Sequence, residues 1–474
     1  MKMGMKESLA LVHGNFEILH TGHARLFAYA KSLADKLVVG LYVEGIAFDE
    51  IERRRNLLLR NSLVDEIVEF TEINILLKKV KPRILVKGRE FKERENYEEA
   101  ILGDYGGRII FTSGEEHSPD SERFIKAISP SNLMTDQIKD FIRRNRITKS
   151  VLIDAVNLCG QKRTLVVGDL ILDEYIDCYA VGLSQETASI VAKPTGMKKF
   201  LGGAGIVAAH CAALGSQTSL LTIVGEDQPG TEANGFLRNF GVTPNFVVDE
   251  DHITVLKQRF VSSGQTIFRL NHYRSGSVKK KSQNLLLEKF SEMISNIEVL
   301  IFSDFSYGVL DSDTTRMMIS MAKERKVYIS SDSQSSSQNG DLKKFRGTNL
   351  VCPTEREARQ EVREPEGLIV ISQRLSELLM SEVIFLKLGS EGLLINGVGL
   401  KTEHIPALNS QPKDVAGAGD SLLAVSSLIM ANKLHPYVSG LVGSVAAAIQ
   451  VSRVGNIPVT RSELINQIQS MDFE

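Results

Sequence analysis

The sequence predicts an α/β protein of two domains, and three observations carry that expectation. The chain has 474 residues, more than one hydrophobic core of ~250–300 residues accommodates. Apolar strand patterns alternate with helical patterns in two separate stretches, as parallel sheets with flanking helices require. A polar, helix-like segment rich in basic residues divides the two stretches.

The first stretch opens with SLALVHGNF, an apolar strand entering a glycine turn. A helical pattern follows in ARLFAYAKSLA, then a strand in KLVVGLYV. Further helix and strand signals lie in RRNLLLRNSLVDEIVEF, ILLKKVKPRILVKG and GGRIIFTSG. These define a domain over 1–128. The segment 129–150 (SPSNLMTDQIKDFIRRNRITK lies within it) reads as a helical linker. TLVVGDLILDEY opens the second domain, 151–474, with an apolar strand ending in glycine and aspartate. LVGSVAAAIQV near the end reads as a buried helix, and SSDSQSSSQNGD (330–341) as an exposed low-complexity loop.

Composition narrows the function. Hydrophobic residues make up 43%, charged residues 24%, and the net charge is −2, so bulk electrostatics point to neither nucleic acid nor a membrane surface. The four cysteines, Cys159, Cys178, Cys211 and Cys352, are scattered, which suggests neither a zinc site nor a disulfide framework. The first residues lack the apolar core of a signal peptide, and no apolar run reaches the ~20 residues of a membrane span. The expectation is a cytoplasmic enzyme.

DVAGAGDSLLAVSSLIM (414–430) carries the strongest chemical signal. Gly417, Ala418 and Gly419 can converge backbone N–H groups at the start of the helix that SLLAVSSLIM predicts, where positive partial charge gathers. Asp420 follows, placed to accept a proton from an attacking hydroxyl. The plainer alternative is a tight turn with Asp420 as a helix cap. LGGAGIVAAHCAALG (201–215) is a glycine pair leading into a small-residue helix, which by itself is equally a device for close packing.

Together, at this separation, the two segments resemble the signatures of the ribokinase-like (phosphofructokinase B) carbohydrate kinases. GDLILDEY, SDFSYG, PTEREA and KLGSEG match further segments, so the resemblance covers nearly all of 161–474. It implies a ribokinase-like α/β fold with Asp420 as general base and Gly417, Ala418 and Gly419 as anion hole. It also implies Asp169, Asp173, Gly202 and Gly203 as sugar contacts, the two aspartates having an alternative as turn formers. Glu357 takes the acidic position associated with magnesium, and Lys387, Gly389 and Gly392 form part of the nucleotide wall. ATP is the implied phosphoryl donor.

The closer resemblance is to bacterial heptose-7-phosphate kinases. LKQRFVSSGQTIFRLN resembles their sugar-phosphate lid, and Lys257, Arg259 and Arg269 there can hold a phosphate or form an ordinary solvated face. Three positions depart from those kinases. Ile206 stands in place of a sugar-contacting asparagine, and Tyr307 and Gln334 each stand in place of a lysine. These departures predict an altered sugar specificity.

In the first domain, His20 and His23 flank a glycine at a strand-to-helix junction, where both imidazoles can face a triphosphate. With Gly14, Asn15 and Phe16 before them, they resemble the nucleotidyltransferases akin to glycerol-3-phosphate cytidylyltransferase, a small Rossmann-like fold. Arg54, Asp65 and LVKGREF match the adenylyltransferase partner of the heptose kinases. The resemblance implies Phe16, Lys87, Arg89 and Ser121 as nucleotide-binding, with ATP or CTP as nucleotidyl donor. Glu17 replaces the usual aspartate, VEGIAFDEIERRR is shorter than its counterpart, and HSPDSERFI retains mainly Ser121 between Asp120 and Glu122. Domain order is reversed relative to the two-domain proteins in which the kinase comes first.

The reading is therefore a bifunctional enzyme of nucleotide-activated sugar synthesis. It would phosphorylate a heptose-like sugar phosphate and transfer a nucleotidyl group to a sugar 1-phosphate, with Mg2+ for both steps. A kinase for another sugar or nucleoside with an inactive first domain, and a non-catalytic nucleotide-binding scaffold, remain the alternatives. Homodimerisation is implied by resemblance alone.

Overall fold

A computed structural model describes residues 8–16, 21–59, 63–88, 96–111, 131–183, 190–262, 265–274, 276, 278–334, 341–362, 367–471 and 473. The chain divides into two compact units, Met1–Asn132 and Leu133–Glu474.

The first unit alternates β1 (Leu9–Gly14), α1 (Thr21–Ser32), β2 (Lys36–Tyr42), α2 (Phe48–Leu59), β3 (Glu66–Phe70), α3 (Ile73–Val80), β4 (Ile84–Lys87), α4 (Glu98–Gly103) and β5 (Arg108–Phe111). The five strands form a parallel sheet in the order β3-β2-β1-β4-β5. Alternate residues of β1 face opposite layers. Ala10 and Val12 pack into one cluster with Phe16 and Phe27, while Leu11 packs into another with Leu76 and Leu77. That two-sided burial is why the central strands read as unbroken apolar runs. Strand order reverses between β1 and β4, so a crevice opens at their carboxyl ends.

The second unit begins within α5 (Ser131–Arg144), which α6 (Lys149–Leu158) follows. The stretch expected to link the domains packs into this unit, since Phe141, Ile142 and Ile147 are buried in its largest core cluster. Then follow β6 (Arg163–Gly168), β7 (Leu170–Leu183), β8 (Ile190–Gly203), α7 (Ala204–Ala213), β9 (Gln217–Val224), α8 (Gln228–Asn239), β10 (Thr243–Val248), β11 (Val255–Ser262) and β12 (Gln265–His272). The remainder comprises α9 (Lys280–Met293), β13 (Val299–Asp304), α10 (Ser312–Glu324), β14 (Tyr328–Ser333), β15 (Leu350–Val351), α11 (Glu355–Val362) and α12 (Leu368–Leu379). It ends with β16 (Val383–Lys387), β17 (Leu393–Gly397), β18 (Glu403–Ile405), α13 (Ala418–Ala431), α14 (Pro436–Val451) and α15 (Arg461–Ser470).

Nine strands make the main sheet, in the order β10-β9-β6-β13-β14-β15-β16-β17-β18. It is parallel from β10 through β16, and β17 and β18 run antiparallel at one edge. A separate four-stranded sheet, β12-β11-β7-β8, rises from the end of β6. Helices α13 and α14 pass through the core, and their small residues let them approach closely. A Cβ on Gly443 would come 2.5 Å from Ser426 of α13, and one on Gly440 would come 2.4 Å from Ile395 of β17, the strand beneath. No helix among the described residues is long and apolar enough to cross a membrane.

One expectation is overturned. Ser330–Ser333, placed by their polarity in an exposed loop, complete the buried strand β14. Small hydroxyls fit a strand covered on both faces: Ser333 donates to Asp304 at 2.6 Å and Ser331 pairs with Thr348 at 3.3 Å, while the Ser330 hydroxyl has no hydrogen-bond partner.

Candidate active site

In the second unit, strand order reverses between β6 and β13, and their carboxyl ends carry Asp169 and Asp304. Asp169 is buried. Its carboxylate accepts from the backbone N–H groups of Phe305 at 2.7 Å and of Tyr307 and Val309 at 3.2 Å. Asp169 therefore folds the 305–309 loop beside the cavity. Gly203 follows with φ +56, where a Cβ would meet the Asp169 carbonyl oxygen at 2.3 Å. The chain thus needs glycine to pass from β8 into α7. Gly202 clears room for a neighbour, since its Cβ would lie 2.5 Å from the Asp173 carboxylate.

A cavity of about 290 Å³ opens between the small sheet and the start of α13, lined in part by Asp173, Gly203, Lys257, Arg259, Arg269, Gln334, Gly417, Gly419 and Asp420. The hairpin β11–β12 supplies the cations. Lys257 lies 5.1 Å above the Phe305 ring and 5.3 Å from that of Tyr307. Arg259 stacks over Tyr175 at 4.9 Å and approaches Asp173 at 3.6 Å. Arg269 pairs opposite Arg259 in the hairpin register and is exposed.

The opposite wall is α13. Gly417 caps it with φ +76, and a Cβ there would strike Asn456 at 2.4 Å. Asp414 holds the preceding turn, accepting from Ala416 N–H at 3.0 Å, Gly455 N–H at 3.0 Å and the Tyr175 hydroxyl at 2.8 Å. Ala418 opens the helix between the two lining glycines. Asp420 sits in its first turn, 6% exposed, and its Oδ1 has no hydrogen-bond partner. Burial pushes its carboxyl up to about 7; the charge of Asp332 adds to the shift and that of Lys387 opposes it. A carboxylate so placed is a competent proton acceptor near neutral pH.

Asp173 is likewise buried, and burial raises its pKa against the pull of Arg259 and Lys257. Asn456 donates to it at 3.3 Å. Asn456 was missed by the sequence reading because its loop, SRVGNIPV, carries no recognisable motif.

Of the expected nucleotide wall, Lys387 adjoins this cavity behind Gly419, where a Cβ would sit 3.2 Å from its Nζ. Lys387 ends β16 and turns its ammonium onto Asp332, 2.5 Å away. Gly389–Glu391 form a tight turn into β17, with φ +60 at Gly389 and φ +99 at Gly392. Glu357 closes a reciprocal cap with Thr354, accepting from its N–H at 2.8 Å while its own N–H donates to the Thr354 hydroxyl at 3.3 Å. Among the described residues no cluster of three His, Cys, Asp or Glu side chains could hold a metal by itself. Glu357 offers a single carboxylate, the kind of ligand that a magnesium ion carried on triphosphate oxygens takes.

Of the three departures from the heptose kinases, one faces the cavity. Gln334 lines it. Ile206 is wholly buried in the core of α7, and Tyr307 is 3% exposed, its ring supporting Lys257.

In the first unit, the β1/β4 crevice carries His13 and Lys87. Lys87 donates to Glu98 at 2.7 Å and to Asn96 at 2.9 Å. Burial and the nearby Lys87 charge lower His13 to about 4, so its imidazole is neutral at pH 7. Arg54 is buried, bonding Glu50 at 2.8 Å and the Asn15 carbonyl at 3.1 Å. Asp65 ties Lys31 and the Leu37 N–H together, both at 2.6 Å. Phe16, expected against a nucleotide, is 4% exposed and packs in the core, with His23 edge-on to its ring at 5.2 Å. His20, Arg89 and Ser121 lie outside the described residues.

Comparison with known proteins agrees with both units. Residues 11–106 match the cytidylyltransferase-like family. The Bifunctional protein HldE of Campylobacter jejuni (strain RM1221) is 29% identical over 316 residues, which are 66% of this chain and 66% of the relative. The protein of the same name from Koribacter versatilis (strain Ellin345) is 30% identical over 316 residues, 66% of this chain and 64% of its own length. The match thus spans a little under two thirds of either relative. The fold also resembles that of Arabidopsis thaliana ribokinase complexed with ribose and ATP, with a TM-score of 0.52 at 18% identity over 65% of this chain and 99% of that one. Escherichia coli phosphofructokinase-2 in complex with substrates and products gives a TM-score of 0.55 at 16% identity, over 65% and 99%. The pfkB family carbohydrate kinase pattern spans residues 161–462, well over half of the chain, and the chain belongs to that family.

Proposed function

We propose that the second unit transfers the γ-phosphoryl group of ATP to a sugar phosphate, heptose-like in size, at its anomeric hydroxyl. One observation carries this reading: a buried carboxylate without a partner, Asp420, faces a cavity whose other side bears Lys257, Arg259 and Arg269. The carboxylate end suits a hydroxyl that must lose a proton. The cationic end suits a phosphate already on the sugar, with the guanidinium forks of Arg259 and Arg269 matching its oxygens. Asp173, steadied by Asn456, accepts hydroxyls between the two ends. Magnesium travels with ATP and offsets triphosphate charge, and Glu357 is the carboxylate assigned to it.

The first unit, on this reading, joins a sugar 1-phosphate to a nucleotide with release of pyrophosphate, a reading that its match to the cytidylyltransferase-like family supports. A second reading is favoured by Lys87, whose ammonium is already occupied by Glu98 and Asn96. It makes this unit a nucleotide-binding remnant beside a working kinase. Incubation of the full chain with ATP, Mg2+ and a panel of sugars and sugar phosphates, with products identified by mass, tests both. A phosphorylated product from a sugar phosphate, followed by a nucleotide-sugar when ATP or CTP is supplied, is expected. Turnover of unphosphorylated sugars alone would overturn the substrate assignment.

A further inference from the structure

Lys387 stands outside the mechanism above, in a place where a cation is costly. Strands β14 and β16 flank the two-residue β15, and Lys387 reaches across it to Asp332. Both side chains are nearly buried, 13% and 3% exposed. The start of α13 lies directly against this pair, since a Cβ on Gly419 would sit 3.2 Å from Lys387 Nζ and 3.5 Å from its Cδ. Glycine at 419 therefore leaves room for the lysine as well as for a close ligand. A helix N-terminus carries positive partial charge, so an ammonium beside it is repelled. Burial also works against that ammonium, yet the carboxylates of Asp332 and Glu357 hold its pKa above the ordinary lysine value. The arrangement has the wrong sign for stabilising the helix and the right sign for collecting an anion. A second observation points to a ligand there: Asp420, one residue on, is buried, lines the cavity and leaves Oδ1 unpartnered.

We propose that Lys387 is a catalytic residue of phosphoryl transfer, its ammonium held under Gly419 by Asp332 to take up negative charge on the phosphoryl group in flight. The proposal rests on the kinase reading and moves Lys387 from the nucleotide wall to the reacting centre. In the step, the substrate oxygen bonds to the γ-phosphorus as the bond to the β,γ-bridging oxygen breaks. The hydroxyl proton passes to Asp420, and the electron pair of the broken bond leaves with ADP. Lys387 exchanges no atoms. It supplies charge where the equatorial phosphoryl oxygens gather it, beside the N–H groups of Gly417–Gly419.

The test compares Lys387→Met, Lys387→Arg and the double variant Asp332→Asn/Lys387→Met in the full chain. One readout is steady-state transfer; the other is calorimetric binding of Mg·ADP with and without aluminium fluoride, which mimics the transferring group. Lys387→Met is expected to lower kcat by ~10²–10³-fold, the range for loss of one preorganised donor, with sugar-phosphate KM and ADP affinity nearly unchanged. The tightening that aluminium fluoride gives the wild type is expected to vanish, and Lys387→Arg to recover part of both. The double variant removes the stranded carboxylate, so it folds even where the single variant does not, and it is expected to stay slow. If it regains wild-type kcat, Lys387 merely neutralises Asp332 and the proposal falls. An effect confined to KM for ATP, or aluminium fluoride tightening that survives in the double variant, overturns it equally. A wild type without transfer activity defeats the kinase reading, and the aluminium fluoride arm then judges the lysine alone, absence of wild-type tightening counting against it.

Discussion

Both units open a crevice where the strand order of a parallel sheet reverses, yet they dress it differently. In the second unit the key acid is left without a partner. Asp420 is buried and its Oδ1 bonds to nothing, while Lys257, Arg259 and Arg269 wait on a hairpin across the cavity. In the first unit the cations are already satisfied, Lys87 by Glu98 and Asn96, and Arg54 by Glu50 and Asn15, and the buried His13 Nε2 is the crevice atom left without a hydrogen bond. An unsatisfied buried group stores free energy that a substrate can release. A satisfied one must first give up its partner, which lowers net affinity. The contrast teaches that one topological rule locates both sites, whereas the state of the side chains sets how ready each is to react.

The sharpest way to break the comparison is Asp420→Asn. It should reduce phosphoryl transfer by ~10²–10⁴-fold, the usual weight of general-base catalysis, with ATP affinity preserved by calorimetry. Near-normal turnover would mean that the carboxylate is not the base. The counterpart in the first unit is His20→Ala with His23→Ala. On the nucleotidyltransferase reading this pair loses ~10²-fold or more of pyrophosphate release, since each imidazole stabilises phosphoryl charge. Kinase rates should stay unchanged, because each unit has its own core. Full activity in the pair would remove the histidines from the chemistry.

Arg259→Gln and Arg269→Gln test whether the cations read a phosphate. Charge-assisted hydrogen bonds are worth roughly 1.5–3 kcal/mol, so each change should raise KM for a sugar phosphate by ~10–150-fold. An unphosphorylated analogue should be affected far less. Equal effects on both substrates would return the hairpin to an ordinary solvated face.

The raised carboxyls predict a pH effect with a definite sign. In the unfolded chain Asp420 returns to an ordinary value near 3.8, and in the folded protein it lies at about 7. The folded state therefore binds the extra proton, and this stabilisation is greatest below the unfolded value. It is lost as pH rises from there through 7. Asp420→Asn removes the buried charge and should raise the melting temperature at pH 8 by a few °C, where ~1 kcal/mol corresponds to roughly 2–4 °C. Activity of the wild type should fall on the acid side of pH 7 as the base protonates. A melting temperature for the variant no higher than wild type at pH 8 would contradict the burial assigned to this carboxylate.

How much of this was legible in the sequence depended on whether a local signal existed. The GAGD turn, the glycine pair at 202–203 and the hairpin cations announced themselves, because backbone constraint and charge leave short patterns. For Asp169 a motif gives the position, while only the fold shows its carboxylate closing the 305–309 loop. For Phe16 likewise, only the fold shows its ring packed in the core cluster of the first unit. Asn456 and His13 were missed outright. They reach their sites through loop and strand ends distant in sequence from their partners, Asp173 and Glu98, and no spacing rule joins such pairs. Ser330–Ser333 misled because serine runs usually mean solvent, whereas here hydroxyls line a strand buried on both sides.

The smallest effect falls on Gln334, and it separates specificity from catalysis within the second unit. Three departures from the heptose kinases suggested altered sugar recognition, but Ile206 is sealed in α7 and Tyr307 lies beneath Lys257. Gln334 alone reaches the cavity, half-buried at the end of β14. Restoring a lysine there adds a fourth cation to a site that already holds Lys257, Arg259 and Arg269. The added attraction for a phosphate is partly screened by solvent and opposed by those like charges. A charge pair in so wet a setting is worth about 0.2–1 kcal/mol, so Gln334→Lys should lower KM for heptose 7-phosphate by no more than ~5-fold, with kcat held within twofold. Competition between heptose 7-phosphate and other sugar phosphates in one reaction, followed by mass, reads the shift directly. An unchanged product ratio would mean that Gln334 does not set specificity, leaving discrimination between sugars to other residues of the cavity wall such as Asp173 and Asn456.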